Sequence, residues 1–131
     1  MLKHEHQQVG LLVARILLGA LFVVSGYTKM VGIEGVVGYM SSSGLPVSAG
    51  LAWLAAIIEL VGGLALILGV HSSIAAIVLA IYLIPVTLFL HVKVGDQANM
   101  VQALKNAAII GGLLHTFLAG PGKYKLVKSK D

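Results

Sequence analysis

Residues 51–70 read LAWLAAIIELVGGLALILGV, an apolar run with one charged residue, Glu59, near its middle. At about 1.5 Å per residue, this run matches a hydrocarbon core of roughly 30 Å. The residues that share a helical face with Glu59 are small: Ala52, Ala55, Ala56, Gly62 and Gly63. Helices in lipid associate by close packing of small residues, and a charge at the bilayer centre costs about 3 kcal/mol. The run therefore predicts a membrane-spanning helix whose carboxylate points into a helix bundle.

The composition of the whole chain agrees with a membrane protein. Of the 131 residues, 58% are hydrophobic and 11% are charged, which is far from the average soluble domain. The absence of cysteine excludes disulfides, thiol redox chemistry and iron–sulfur ligation. The net charge of +4 resides largely in the C-terminal lysines, which suits an anionic membrane surface better than a nucleic acid. We expect the lipid bilayer, and no nucleic acid, as a partner.

Hydrophobic periodicity predicts an all-α, integral membrane four-helix bundle that forms a single transmembrane domain over residues 1–131. The spans are expected at about 9–28, 50–70, 73–91 and 103–119, with an interfacial loop at 30–49 and a basic cytoplasmic tail at 120–131. Arg15 inside the first span argues against a cleaved signal peptide. The tails carry five lysines and the opposite loops three, which predicts a multi-pass protein with both termini in the cytoplasm.

The third span contains Pro85, which removes a helical hydrogen bond. We expect a bend there, with a carbonyl near Tyr82 left facing the bundle interior.

The buried charges predict two polar clusters at different depths. Arg15 shares a stripe of the first span with Gly19 and Gly26, and a long arginine side chain could reach the Glu59 stripe. We therefore expect Arg15 and Glu59 to face each other, with His115 of the fourth span in the same cluster. A second cluster is expected near the external surface, and its members are Lys29, His91, Lys105 and Asn106.

These residues leave several interpretations open. Glu59 could act in function, or it could only fix the bundle through an ion pair. His71 and His115 are the one pair of imidazoles at a common depth on different helices, but their spacing does not enforce the geometry of a haem, so haem is disfavoured. No spacing typical of a metal site is present, and the sequence alone assigns neither a catalytic residue nor a cofactor.

The order and spacing of several motifs over residues 11–125 resemble the DoxX family of small four-helix bacterial membrane proteins. The residues that carry this resemblance are Arg15, Gly19, Gly26 and Lys29, Gly44-Leu45-Pro46, the block from Glu59 to Gly69, Ala75-Ala76, Lys105-Asn106, Gly111-Gly112 and Gly120 to Tyr124. The chain departs from the family pattern at Lys125 and Val127, where a serine and an aspartate are common, and at the His71-Ser72-Ser73 hairpin, where a basic residue is frequent.

The resemblance implies a four-helix bundle in the bacterial plasma (inner) membrane. It also implies an association with quinone-linked electron transfer, with resistance to oxidants and with membrane complexes around detoxifying enzymes. A quinone-type ligand and a partner redox enzyme or a second copy of the chain are the expectations that follow. The resemblance leaves open whether the chain is itself an enzyme.

Three functions compete at this point. The first is a redox accessory protein that binds a quinone among its helices, with Glu59 and Arg15 near the head group. The second is a non-catalytic membrane scaffold or assembly factor, in which the buried charges fix helix register. The third is a small transporter, but the sequence shows no internal repeat between its halves, and transporter folds commonly have one.

Overall fold

The computed structural model describes residues 4–42, 49–90 and 97–124, and all regular secondary structure in these ranges is helical. The helices are α1 (His4–Val31), α2 (Ile33–Ser42), α3 (Ala49–Leu68), α4 (Ser72–Leu90) and α5 (Gln97–Ala119). The prediction of an all-α fold is confirmed. Within the predicted interfacial loop at 30–49, Ile33–Ser42 forms the helix α2, which packs mainly against α3.

Two helices of the described part are long and apolar enough to cross a membrane, Glu5–Val31 within α1 and Gly50–Leu68 within α3. The apolar segment of α4, Ser72–Leu88, is shorter. Membrane crossing by α4 and α5 therefore stays a prediction, as does the four-span topology. α4 continues past Pro85 to Leu90, and the bend expected at that proline also stays a prediction.

Glycines bring α1 and α3 into direct backbone contact. A Cβ atom on Gly19 would lie 2.6 Å from the carbonyl oxygen of Gly63, and one on Gly26 would lie 2.7 Å from the backbone nitrogen of Leu60. No side chain larger than hydrogen fits at these distances, so the two helices approach as closely as small-residue pairs allow in membranes. The contacts also fix the register of the antiparallel pair, since Gly26 lies between the levels of Ala56 and Leu60, and Gly19 between those of Gly63 and Ile67.

The core lies where four helices meet. Phe22 of α1 and Leu66 of α3 pack against residues of α4 and α5, which are Ala76, Leu79, Ala80, Leu83 and Leu113. The outer surface is also apolar: Leu17 is 67% exposed and Leu118 is 80% exposed. A soluble protein rarely leaves aliphatic side chains so open over a wide area, whereas lipid acyl chains cover such a surface readily.

Candidate functional site

Glu59 is buried and binds two donors from two other helices. Lys29 Nζ of α1 lies 3.0 Å from Glu59 Oε2 and 3.1 Å from Oε1. The hydroxyl of Tyr82, on α4, donates a hydrogen bond to Oε2. Lys29 also donates to Ser25 Oγ, at 2.8 Å, one turn earlier on its own helix. The carboxylate is therefore held by an ammonium and a phenol, which are the charge-assisted contacts that a buried carboxylate needs.

The predicted pairing of Arg15 with Glu59 is wrong, although both side chains are buried. The register of α1 against α3 puts Glu59 near the level of Ser25, about ten residues from Arg15. At the α-helical rise this separation is about 15 Å, which is more than an arginine side chain spans. Lys29 reaches Glu59 because side chains on a helix lean toward its N-terminus, and so toward the Ser25 level.

Arg15 instead joins the end of α3 to the end of the chain. Its Nη1 donates to the carbonyl oxygen of Leu66 at 3.1 Å, and its Nη2 donates to the carbonyl oxygen of Tyr124. The side chain is 1% exposed, and its Nε has no hydrogen-bond partner among the described residues. Its charge lies at the C-terminus of α3, where the helix dipole favours a cation. This arrangement indicates a structural role for Arg15.

A cavity of about 120 Å³ lies beside the Lys29–Glu59 pair, between four helices. Its polar edge contains Ser25, Lys29, Glu59 and two α5 side chains, Gln102 and Asn106. Its apolar wall is lined by Leu21, Phe22, Leu83, Val86 and Ile109. An engineered cavity of about 150 Å³ in another protein holds a benzene ring, so this space is close to the size of one aromatic ring.

Asn106 comes to this cavity from α5 and is oriented by α4. It is buried, and its Nδ2 donates to Thr87 Oγ1 at 3.1 Å. Lys29 and Asn106, two members of the predicted external cluster, thus lie at the same cavity as Glu59. Lys105, the next residue along α5, is exposed and does not line the cavity. His91 lies outside the described residues.

His115 was predicted to join the buried cluster, but it lies outside it. It is exposed, and it lies on α5 about nine residues beyond Asn106, toward the end of the bundle where Arg15 binds Tyr124. His71, the other histidine considered for haem, is also exposed and has a positive φ of 47° in the turn between α3 and α4. In the described ranges, His, Asp and Glu do not form groups of three that could hold a metal ion.

Sequence reasoning missed Tyr82 and Ser25 as partners in this site. A signal for Tyr82 existed, because Leu79, Tyr82 and Val86 recur at helical spacing on one face of α4. A buried carboxylate also accepts more than one hydrogen bond, so a hydroxyl donor beside the cation was to be expected. Ser25 follows from Lys29, since residues four apart are neighbours on a helix surface.

The arrangement suits a ring that carries oxygen atoms. Lys29 and the Asn106 amide can donate to a carbonyl oxygen, and the Glu59 carboxylate can accept a hydrogen bond from a hydroxyl. The carboxylate also lines the cavity, so a ligand there would lie next to it. The apolar wall would contact the faces of the ring.

The comparisons with known proteins agree on a family. A family model, DoxX, matches residues 10–92, which contain Arg15, Lys29, Glu59 and Tyr82. The chain is 32% identical to inner membrane protein YqjF of Escherichia coli (strain K12), over 92% of this chain and 91% of that protein. It is 31% identical to inner membrane protein YphA of the same organism, over 88% of this chain and 86% of the relative.

A third relative comes from a different bacterium. The chain is 32% identical to a Bacillus subtilis (strain 168) protein named "Putative oxidoreductase CatD", over 70% of this chain and 67% of that protein. No solved structure matches the chain. The family model covers most of α1 and all of α2, α3 and α4, and the two inner membrane relatives match most of the chain. The resemblance seen in the sequence is thereby confirmed: the chain belongs to the DoxX family of membrane proteins.

Proposed function

We propose that this protein binds a quinone-type ring in the cavity beside Lys29 and Glu59, as an accessory in quinone-linked redox chemistry or oxidant defence. The observation that carries the proposal is a buried ion pair that lines a ring-sized cavity inside a bundle of apolar helices. The name of the Bacillus subtilis relative, "Putative oxidoreductase CatD", points in the same direction.

The polar groups match both oxidation states of such a ligand. A quinone carbonyl would accept a hydrogen bond from Lys29 Nζ, and a hydroquinone hydroxyl would donate one to Glu59. Interconversion of the two states moves two electrons and two protons, and the electrons would come from or pass to a partner redox enzyme. This chain would contribute the binding cavity and, at Glu59, a place for one of the protons.

The proposal includes the membrane topology. All four long helices would cross the bacterial inner membrane, with both termini in the cytoplasm, as the five-to-three distribution of lysines favours. α1 would then run outward, and the cavity between Ser25 and Lys29 would lie in the external half of the bilayer. α2 would lie at the external interface, where it follows α1 directly.

The experiment that tests this function is quinone binding by the purified protein in lipid nanodiscs. Lipid-soluble compounds would be extracted from the preparation and identified, and a short-chain quinone would be titrated. Lys29→Gln should weaken binding about tenfold or more, because a hydrogen bond from a charged donor contributes about 1.5–3 kcal/mol. Lys105→Gln is the matched control, since it removes an exposed lysine outside the cavity.

The second candidate is a non-catalytic scaffold or assembly factor for a partner enzyme. One observation favours it: the polar residues of the cavity also tie helices together, with Lys29–Glu59 joining α1 to α3 and Asn106–Thr87 joining α4 to α5. On this hypothesis the double variant Lys29→Gln/Glu59→Gln still binds the partner enzyme if it folds. Extraction of the native protein then yields no quinone. Quinone binding that disappears in the folded double variant would favour the first candidate.

A further inference from the structure

The cavity beside Glu59 is open on one side, between α1 and α5. The residues at its back are buried, and they are Phe22, Glu59, Leu83 and Asn106. Leu21 of α1 is 44% exposed and Gln102 of α5 is exposed as well. The exposed lining residues therefore come from these two helices, and the gap between them leads to the outside of the bundle.

The spacing of contacts along α1 explains this gap. Leu18 closes the space against α5, since a Cβ atom on Gly112 would lie 3.5 Å from Leu18 Cδ2. Because the helices are antiparallel, Leu21 is then level with Ile109, and Lys29 with Gln102. α1 packs mainly against α3 and contacts α5 sparsely, and within the described residues Leu21 and Gln102 stay exposed along this stretch. The result is a slit about 12 Å long, from Leu21 to Lys29.

The slit is polar at the end near Lys29 and Gln102, and its outer edge is apolar at the opposite end. Leu21 and Ile109 form that edge, and the neighbouring surface continues with exposed Leu17 on α1. In a membrane this surface would face acyl chains. A molecule in the slit would thus meet polar groups inside the bundle and hydrocarbon outside it.

If the proposed function holds, the geometry points to a ligand whose ring carries a long apolar tail, such as a prenyl or alkyl quinone. The ring occupies the cavity at Lys29 and Glu59, and the tail leaves between Leu21 and Ile109 into the lipid. The volume of about 120 Å³ is close to the size of one ring and has no room for a tail of ten or more carbon atoms. The slit supplies the exit, and its apolar edge suits a hydrocarbon chain.

The test compares two quinones that share one dimethoxy-methyl ring, one with a decyl tail and one without. Binding to the protein in nanodiscs is measured with ligand concentration expressed per lipid, so that partitioning into the bilayer cancels. Leu21→Trp narrows the slit and should weaken binding of the tailed quinone at least tenfold, while that of the short one changes less than threefold. Leu17→Trp, the same change one turn away and outside the cavity lining, should alter neither.

A second measurement follows the tail directly. A tailed quinone with a photoreactive diazirine near the ring end of its tail should label residues around Leu21 on α1 and Ile109 on α5. Labelling confined to the Gln102 end would overturn the assignment of the exit. Equal losses for the two quinones in Leu21→Trp would overturn the tail as the selected feature, while quinone binding itself would stand. If neither quinone binds the native protein, the proposed function fails.

Discussion

The Lys29–Glu59 pair offers the sharpest test of how this bundle is held together. Glu59→Gln removes the charge of the carboxylate and leaves the Lys29 ammonium facing a neutral amide. In soluble proteins, breaking a buried pair in this way costs about 3–5 kcal/mol. Because the Lys29 side chain is 28% exposed and can turn toward water, we expect the lower part of that range or less, about 2–3 kcal/mol.

The double variant Lys29→Met/Glu59→Gln removes both charges and should recover much of that loss. The coupling between the two positions should therefore be at least about 1 kcal/mol, measured as the free energy of unfolding in mixed detergent micelles. The control is the combination Arg15→Leu/Glu59→Gln, because Arg15 on α1 lies about 15 Å along the helix axis from the level of Glu59 on α3 and the two have separate partners. Its two effects should add.

Two outcomes would refute this reasoning. Additive effects of Lys29→Met and Glu59→Gln, within about 0.5 kcal/mol, would mean that the two side chains do not interact in the membrane. Recovery of stability in Arg15→Leu/Glu59→Gln, but not in Lys29→Met/Glu59→Gln, would support the Arg15–Glu59 pair that the sequence suggested. It would also contradict the register of α1 against α3.

Three further predictions follow from the same contacts. Gly26→Ala should destabilise the protein by about 1–3 kcal/mol because its Cβ would meet backbone atoms of α3, whereas Gly35→Ala, which meets open space, should be neutral by the same unfolding assay. Arg15→Leu should release the C-terminal segment and speed tryptic cleavage after Lys123, and unchanged cleavage would contradict the contact with Tyr124. A reporter fused to the C-terminus should be active only as a cytoplasmic fusion, and an external signal would reverse the proposed topology.

Hydropathy and small-residue spacing predicted much of this fold because both depend on one helix at a time. The run at 51–70 carries its own evidence of length, of the buried face and of the position of Glu59 on it. The burial of Arg15 and Glu59 follows equally from the cost of exposing a charge to lipid. Properties of this kind can be read along a single segment.

The partners of the charges could not be read in this way. Depth estimated from span ends put Arg15 within reach of Glu59, but the register depends on which glycines of α1 meet α3. Gly19 and Gly26 each had several small residues to pack against, and a shift of the pair by about three turns would bring Arg15 level with the carboxylate in place of Ser25. Asn106 was grouped with Lys29, and both line the cavity, yet the distance of Asn106 from Glu59 depended on the same register.

The link between Arg15 and the C-terminal segment has a mechanical consequence for the slit. The backbone nitrogen of Lys123 donates to Gln8 Oε1 at 2.7 Å, so the chain that leaves α5 is fastened to the start of α1 at two points. Leu18 and Gly112 meet nearby, and beyond them α1 and α5 part. The two helices are therefore held together at the end that contains Gln8 and Arg15, and α5 can pivot about this end so that the slit between Leu21 and Gln102 widens or narrows. We expect a pair of spin labels at Leu21 and Gln102 to show a broader range of distances than a pair placed near Gln8 and Lys123. Equal ranges would mean that α5 does not pivot.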